Sequence, residues 1–274
     1  MTTNTLEISG LSLSFGGLTV LKDIKFDVAA GEVLGLIGPN GAGKSALLNC
    51  ISGLYAPESG STIIFDRKGL VALKPSGRAS LGIKRTFQHI HLVDELTVLD
   101  NVLLGLASAF HGGVLRRQIM MLQSARQERE LRRKAERALD LCGISAISSE
   151  RAAALPLGIR RRVDLARALV SEPRLLLLDE PASGLASDER NLVRELVNIA
   201  RRERDIAVIW IEHDLDLVTS VATRILVLHH GRIVAEGDPR EQTARDALIS
   251  AYLTGSPVHQ DERFSARAND CKKP

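Results

Sequence analysis

The sequence predicts an α/β fold built on a parallel sheet, and three observations predict it. Two short, almost wholly apolar runs, "RLLLLDE" at 174–180 and "DIAVIWIEHD" at 205–214, end in acidic residues or histidine. Runs of that kind suit strands buried on both faces. Helical patterns, "ERNLVRELVNIARRER" and "DLDLVTSVA", alternate with them as in βαβ units. A third apolar run, Val33 to Ile37, leads into the glycine-rich "GPNGAGKS" and then into a helical pattern.

Taken in order, "LEISGLSLSF", "LKDIKFDV" and "VLGLIG" read as strands, separated by Gly16-Gly17 and Ala30-Gly31. "GKSALLNCISGL" reads as a helix opening at Gly43 and closing near Gly53. After "STIIFD", residues 69–77 read as a Gly/Pro-rich loop and "LGIKRTFQ" as a strand. From Leu96 to Cys142 the period is helical, and "RRQIMMLQSARQERELRRKAERALDLC" is densely charged. A further helix begins at Ile159, with Val163, Leu165, Ala166 and Leu169 at helical spacing. "ATRILVLHHGRIVAEG" reads as a hairpin turning at His230-Gly231, and the polar tail from Gly255 to Pro274 as disordered.

Composition narrows the classes. The net charge of +3 is too mild to argue for nucleic acid. Cys50, Cys142 and Cys271 form no C-x-x-C pair, which gives no zinc or disulfide pattern and fits a reducing compartment. The start "MTTNTLEISG" lacks the regions of a signal peptide, and no apolar run reaches the roughly 18 residues of a membrane span. The expectation is a cytoplasmic protein whose membrane role, if any, comes through partners.

The chemistry lies in the motifs. Gly38, Pro39, Asn40, Gly41, Ala42, Gly43, Lys44 and Ser45 fit G-x-x-x-x-G-K-[ST]. Its glycines let backbone N–H groups turn toward an anion, and the helix that follows aims its positive end at the same point. Lys44 should pair the β- and γ-phosphates and Ser45 should hold Mg²⁺. "LLLLDEP" puts two carboxylates at the mouth of a parallel strand, where open α/β sheets place their ligands. Asp179 is the expected metal ligand, and Glu180 the base that polarises water. "WIEHD" repeats the pattern, with His213 within reach of the γ-phosphate. Gln88 and Phe15 are weak signals alone, since a lone Gln is usually surface and an apolar residue at a strand end usually core.

Together these motifs resemble the ATP-binding subunit of an ABC transporter over residues 5–255. In order they are Phe15, the phosphate loop, Gln88, a signature helix at 155–170, "LLLLDEP" and "EHD". The resemblance implies a P-loop NTPase fold with a parallel core sheet, an antiparallel β subdomain and a helical subdomain at about 89–172. It implies ATP and Mg²⁺ as cofactors and ATP hydrolysis coupled to transport. Phe15 takes the adenine-stacking role, Gln88 that of metal ligand and sensor of the membrane subunit, and His213 the γ-phosphate contact. "SFGGLTVLKDIKF", "RTFQHIHLVDELTVLDNVLLG", "IEHDLDLVTSVATRILVLHHGRIVAEGDP" and "ALISAYLTG" look like the branched-chain amino acid importer group, although relatives moving urea or other solutes look alike. The implied partners are a second, non-identical ATP-binding subunit, two permease subunits and, indirectly, a periplasmic binding protein. The chain would sit peripherally on the inner face of the membrane.

Two departures from the family pattern stand out. The signature, usually "LSGGQ", is Leu155, Pro156, Leu157, Gly158 and Ile159, so the Ser hydroxyl that reaches the opposite γ-phosphate is missing. Ala186 replaces the Asp or Asn expected after Leu185. Arg160, Arg161 and Arg162 also load the positive end of the signature helix, against the usual preference for anions there. At least two of them are expected to meet local acids or water rather than a nucleotide. The competing functions are a soluble ABC protein without transport and a regulatory module whose ATP site no longer turns over.

Overall fold

The computed structural model describes residues 4–86, 90–109 and 125–255. Strands β1 (Asn4–Phe15) and β2 (Leu18–Ala29) form a long hairpin, and β3 (Val33–Ile37) leads to α1 (Lys44–Ser52). β4 (Thr62–Phe65), β5 (Lys68–Gly69), α2 (Pro75–Ser80) and β6 (Ile83–Arg85) follow. The helical part comprises α3 (Val98–Leu103), a 3₁₀ segment at Leu104–Ala109, α4 (Ala125–Leu141) and α5 (Leu157–Leu169). The chain then runs through β7 (Leu175–Asp179), α6 (Ser187–Arg204), β8 (Ala207–Ile211), α7 (Leu215–Val221), β9 (Arg224–His229), β10 (Arg232–Gly237) and α8 (Gln242–Thr254).

Two sheets result. One is antiparallel with order β2-β1-β4-β5; the other runs β10-β9-β3-β8-β7-β6, parallel except for its β10 edge. β3, β7 and β8 are buried at every position, which is why their sequences are runs rather than alternations. Alternation reappears in the packing. Leu34, Leu36, Leu175, Leu177 and Ile209 meet α1 and the antiparallel sheet. Val33, Leu176, Leu178, Val208 and Trp210 meet α3, α4, α5 and α6 on the other face. A third cluster joins β9, β10, α7 and α8. The sheet is the shared wall of all three.

The expected parallel sheet, antiparallel β part and helical part are all present. Three details differ from expectation. The stretch read as a loop at 69–77 contains the start of α2, because Pro75 takes the first helical position, where its missing N–H is not needed. The strand read as "LGIKRTFQ" is limited to Ile83–Arg85 among the described residues. Helix α5 starts at Leu157, two residues before Ile159, with Pro156 as its extended N-cap. The hairpin does turn at His230-Gly231. Cys50 and Cys142 are buried thiols, whereas Cys271, Gln88 and the tail 256–274 lie outside the described residues.

Candidate functional site

The phosphate loop joins the central strand β3 to α1. Gly38 has φ +156°, and a Cβ there would lie 2.1 Å from the Leu228 carbonyl oxygen, so only glycine fits against β9. Gly231 N–H donates to the Ala42 carbonyl at 2.9 Å, and Lys22 N–H donates to the Gly231 carbonyl at 2.8 Å. The tip of the β9–β10 hairpin thus pins the loop to β2. Lys44 is 7% exposed. Its ammonium donates to the carbonyls of Gly38 at 2.6 Å and Pro39 at 3.0 Å. Burial holds its pKa below the usual lysine range, while Glu180 and Asp179 pull it back up. Ser45, Asn40 and Gly41 are exposed.

β7 ends beside this loop. Asp179 is buried, and its Oδ2 accepts from Arg85 Nη2 at 2.8 Å. Glu180 follows with φ +50°, a left-handed conformation that costs a non-glycine residue of order 1–3 kcal/mol and is held by a packed neighbourhood. Its N–H donates to the Ile211 carbonyl at 3.0 Å. Glu180 Oε1 lies 2.6 Å from His213 Nε2, so the two neighbouring strand ends bring the carboxylate and the imidazole together. Beneath them, buried Glu212 accepts from Ala182 N–H at 2.9 Å and His213 N–H at 3.3 Å, tying the ends of β7 and β8. Burial raises its pKa above the ordinary carboxylate range.

Lys44, Asp179, Glu180 and His213 therefore form one cluster. Phe15 stands at the end of β1, 49% exposed, with its ring edge-on to Tyr55 at 5.1 Å. The signature residues are elsewhere, at the opening of α5: Leu155 and Gly158 are buried, Leu157 is exposed, and a Cβ at Gly158 would lie 1.7 Å from Glu189 Oε1. The arginines after them separate. Arg160 pairs with Asp94 at 2.9 Å and donates to the Ala152 carbonyl at 2.7 Å. Arg162 donates to the carbonyls of Cys142 and Gly143. Arg161 turns inward, where burial lowers its pKa against the fields of Asp164, Glu212 and Glu180. The charges are absorbed within the chain.

Three arginines were missed by sequence reading. Arg85 connects Asp179 to Asn49 Oδ1 and Ser52 Oγ on α1. Arg78, 2% exposed, donates to the carbonyls of Cys50, Ile51 and Leu73, closing the C-terminal end of α1. Arg167 meets Asp164. All three line a cleft of about 380 Å³, with Lys84, Leu104 and Gly105, between the sheet and the helical part. Nothing in the local pattern marks an arginine as buried, and the β6–β7 register that sets Arg85 beside Asp179 is not written in either strand alone.

A strand-to-helix glycine-rich loop beside an acidic strand end defines a nucleotide-binding P-loop protein, with two carboxylates, an imidazole and a lysine gathered at the loop. The ABC transporter family model matches residues 21–183, more than half of the chain, and the chain belongs to that family: it is an ATP-binding cassette and an ATPase. It is 34% identical over 248 residues to the high-affinity branched-chain amino acid transport ATP-binding protein LivG of Escherichia coli K12, spanning 90% of this chain and 97% of that one. It is 37% identical to the phosphonates import ATP-binding protein PhnC of Chromohalobacter salexigens, spanning 92% and 89%. Among solved structures, MJ1267, an ATP-binding cassette of an ABC transporter, superposes with a TM-score of 0.80 at 28% identity, covering 94% of this chain and all of that one.

Proposed function

We propose that this chain is the ATP-hydrolysing subunit of an importer for branched-chain or related amino acids. The observation that carries the hydrolytic part is the cluster of Lys44, Asp179, Glu180 and His213 around one loop mouth. Lys44 and the loop N–H groups hold the β- and γ-phosphates; Phe15 offers its exposed ring to the adenine. What supports a metal is Asp179 Oδ1, a buried oxygen without a hydrogen-bond partner; the other ligands we assign are Ser45 and Gln88, the latter outside the described residues. Bound Mg²⁺ supplies charge neutralisation at the phosphates. Glu180 takes the proton of the attacking water, and His213, at 2.6 Å from it, holds Glu180 and the γ-phosphate in one geometry.

Among the described residues no helix is long and apolar enough to cross a membrane; the likeness to transport ATP-binding proteins supports separate permease subunits as partners. The chain would dock on them at the inner face of the membrane. The branched-chain reading rests on end-to-end likeness to LivG, and a periplasmic binding protein would select the solute. The PhnC likeness, of higher identity, favours another small solute as the second reading.

Glu180→Gln is expected to keep ATP binding while hydrolysis in the assembled complex falls by about 10²–10⁴-fold. Near-normal turnover by that variant would remove Glu180 from the role of base. Co-purification of permease subunits, followed by leucine uptake in vesicles, tests the transport reading; a complex that takes up another solute and not leucine decides for the second.

A further inference from the structure

Arg85 ends β6, and its register partner on β7 is Leu177, two residues before Asp179. Positions two apart on a strand share a face, so Arg85 and Asp179 leave the sheet on the same side. They meet at 2.8 Å, with both side chains less than a tenth exposed. The other guanidinium nitrogen donates to Asn49 Oδ1 at 2.6 Å and Ser52 Oγ at 3.2 Å, so the fork is fixed to the helix that begins at the phosphate loop. The fork holds Oδ2 of Asp179; Oδ1, buried and without a hydrogen-bond partner, is the oxygen left to present.

A buried ion pair of this kind contributes little to stability compared with a well-packed apolar pair. Its effect is on what Asp179 can bind. The carboxylate lies in the field of two cations, Arg85 at hydrogen-bond distance and Lys44. A divalent ion approaching Oδ1 meets a carboxylate whose charge is already matched, until phosphate oxygens add negative charge. We propose that Arg85 is a positioning residue that makes metal binding at Asp179 conditional on nucleotide. It presents Oδ1 and, by its charge, keeps a divalent cation out until the phosphates arrive. The inference rests on the reading of Asp179 as the metal carboxylate.

Removing Arg85 has two opposed effects on the metal. Freeing the Asp179 rotamer weakens binding by a few-fold at most. Removing a unit charge about 6 Å from a divalent ion, at an effective dielectric of about 20, strengthens it by more than tenfold. Charge wins. In the full-length protein without nucleotide, Arg85→Gln should therefore bind Mn²⁺ at least about tenfold more tightly than the parent, read from the electron paramagnetic resonance signal of free Mn²⁺. Arg85→Lys, which keeps the charge and loses the fork, should stay within about threefold of the parent. A merely structural arginine gives the opposite sign, since loosening the site weakens metal and nucleotide alike. Unchanged or weaker Mn²⁺ binding by Arg85→Gln, or an equal gain in Arg85→Lys, overturns the proposal. If Arg85→Gln does not fold, Arg85→Met carries the same expectation. Asp179→Asn separates the two readings. If it leaves the Mn²⁺ affinity of the ADP complex intact, the metal assignment fails; if it abolishes that affinity and Arg85→Gln changes nothing, only the present inference fails.

Discussion

Lys44 carries an ammonium that its surroundings disfavour. Burial lowers its pKa, and the opposing fields of Glu180 and Asp179 do not fully restore it. With the folded pKa below the unfolded value of 10.5, the native state binds fewer protons than the unfolded state across that window. Stability linked to Lys44 therefore rises with pH there, and the charged lysine costs stability near neutrality. The parent's urea midpoint, taken relative to that of Lys44→Met, should rise between pH 7 and about pH 9.5. The same variant should lose about 10²-fold or more in ATP hydrolysis, because a counter-charge to the phosphates is gone. A variant less stable than the parent near neutrality, with no pH trend, would contradict this account. The contact between Glu180 and His213 was legible as residue types at two strand ends, since parallel strands deliver their C-terminal residues to one edge. The left-handed backbone of Glu180 was not, because a positive φ leaves no mark on sequence when the residue is not glycine.

At the scale of elements, α1 has its phosphate-facing end held by the loop and its other end by Arg78. Three carbonyls, those of Cys50, Ile51 and Leu73, converge on that one guanidinium. Arg78→Met should destabilise the fold by roughly 2–4 kcal/mol, because buried acceptors lose their donor. Arg78→Lys should recover less than half of that, since a single ammonium does not reproduce a planar fork. Urea unfolding of the two variants measures both figures. Element legibility followed burial. β3, β7 and β8 were readable because two-sided burial demands runs of apolar residues. α2 was hidden because Pro75 and Gly77 carry loop propensities that its packing overrides. The early start of α5 was hidden because Pro156 and Leu157 read as a turn, whereas Pro156 is the cap itself. Buried arginines were hidden for a different reason: their partners are backbone carbonyls and a carboxylate supplied by elements up to 94 residues away.

The whole molecule separates its phosphate loop, at the head of α1, from its signature residues, at the head of α5. If each ATP site is completed by two chains, as the resemblance to the family implies, the isolated chain should be a weakly associating monomer of low activity. Activity per molecule should rise steeply with protein concentration or with added permease subunits; a flat dilution series would contradict it. Pro156 brings no hydroxyl and Ile159 no amide to the site opposite. Losing such donors costs about 10²–10³ in rate. In a complex with a non-identical partner, the site built on Lys44 and Glu180 should therefore carry most of the turnover. Mutating Glu180 and, separately, the corresponding glutamate of the partner in the reconstituted transporter measures the split. Equal losses, or a complex holding two copies of this chain, would overturn the asymmetry.

The order β9-β3-β8 in the main sheet has a consequence for synthesis of the protein on the ribosome. β3, at residues 33–37, carries the phosphate loop and is among the first strands to emerge. Both of its hydrogen-bonding neighbours are encoded after residue 206. For most of translation this strand has two unpaired edges and a loop not yet pinned by Gly231. The nascent chain thus has no nucleotide site until β8 and β9 are made, and a strand buried at every position in the fold depends on being shielded until then. Truncated products ending before β8 should aggregate rather than bind ATP weakly.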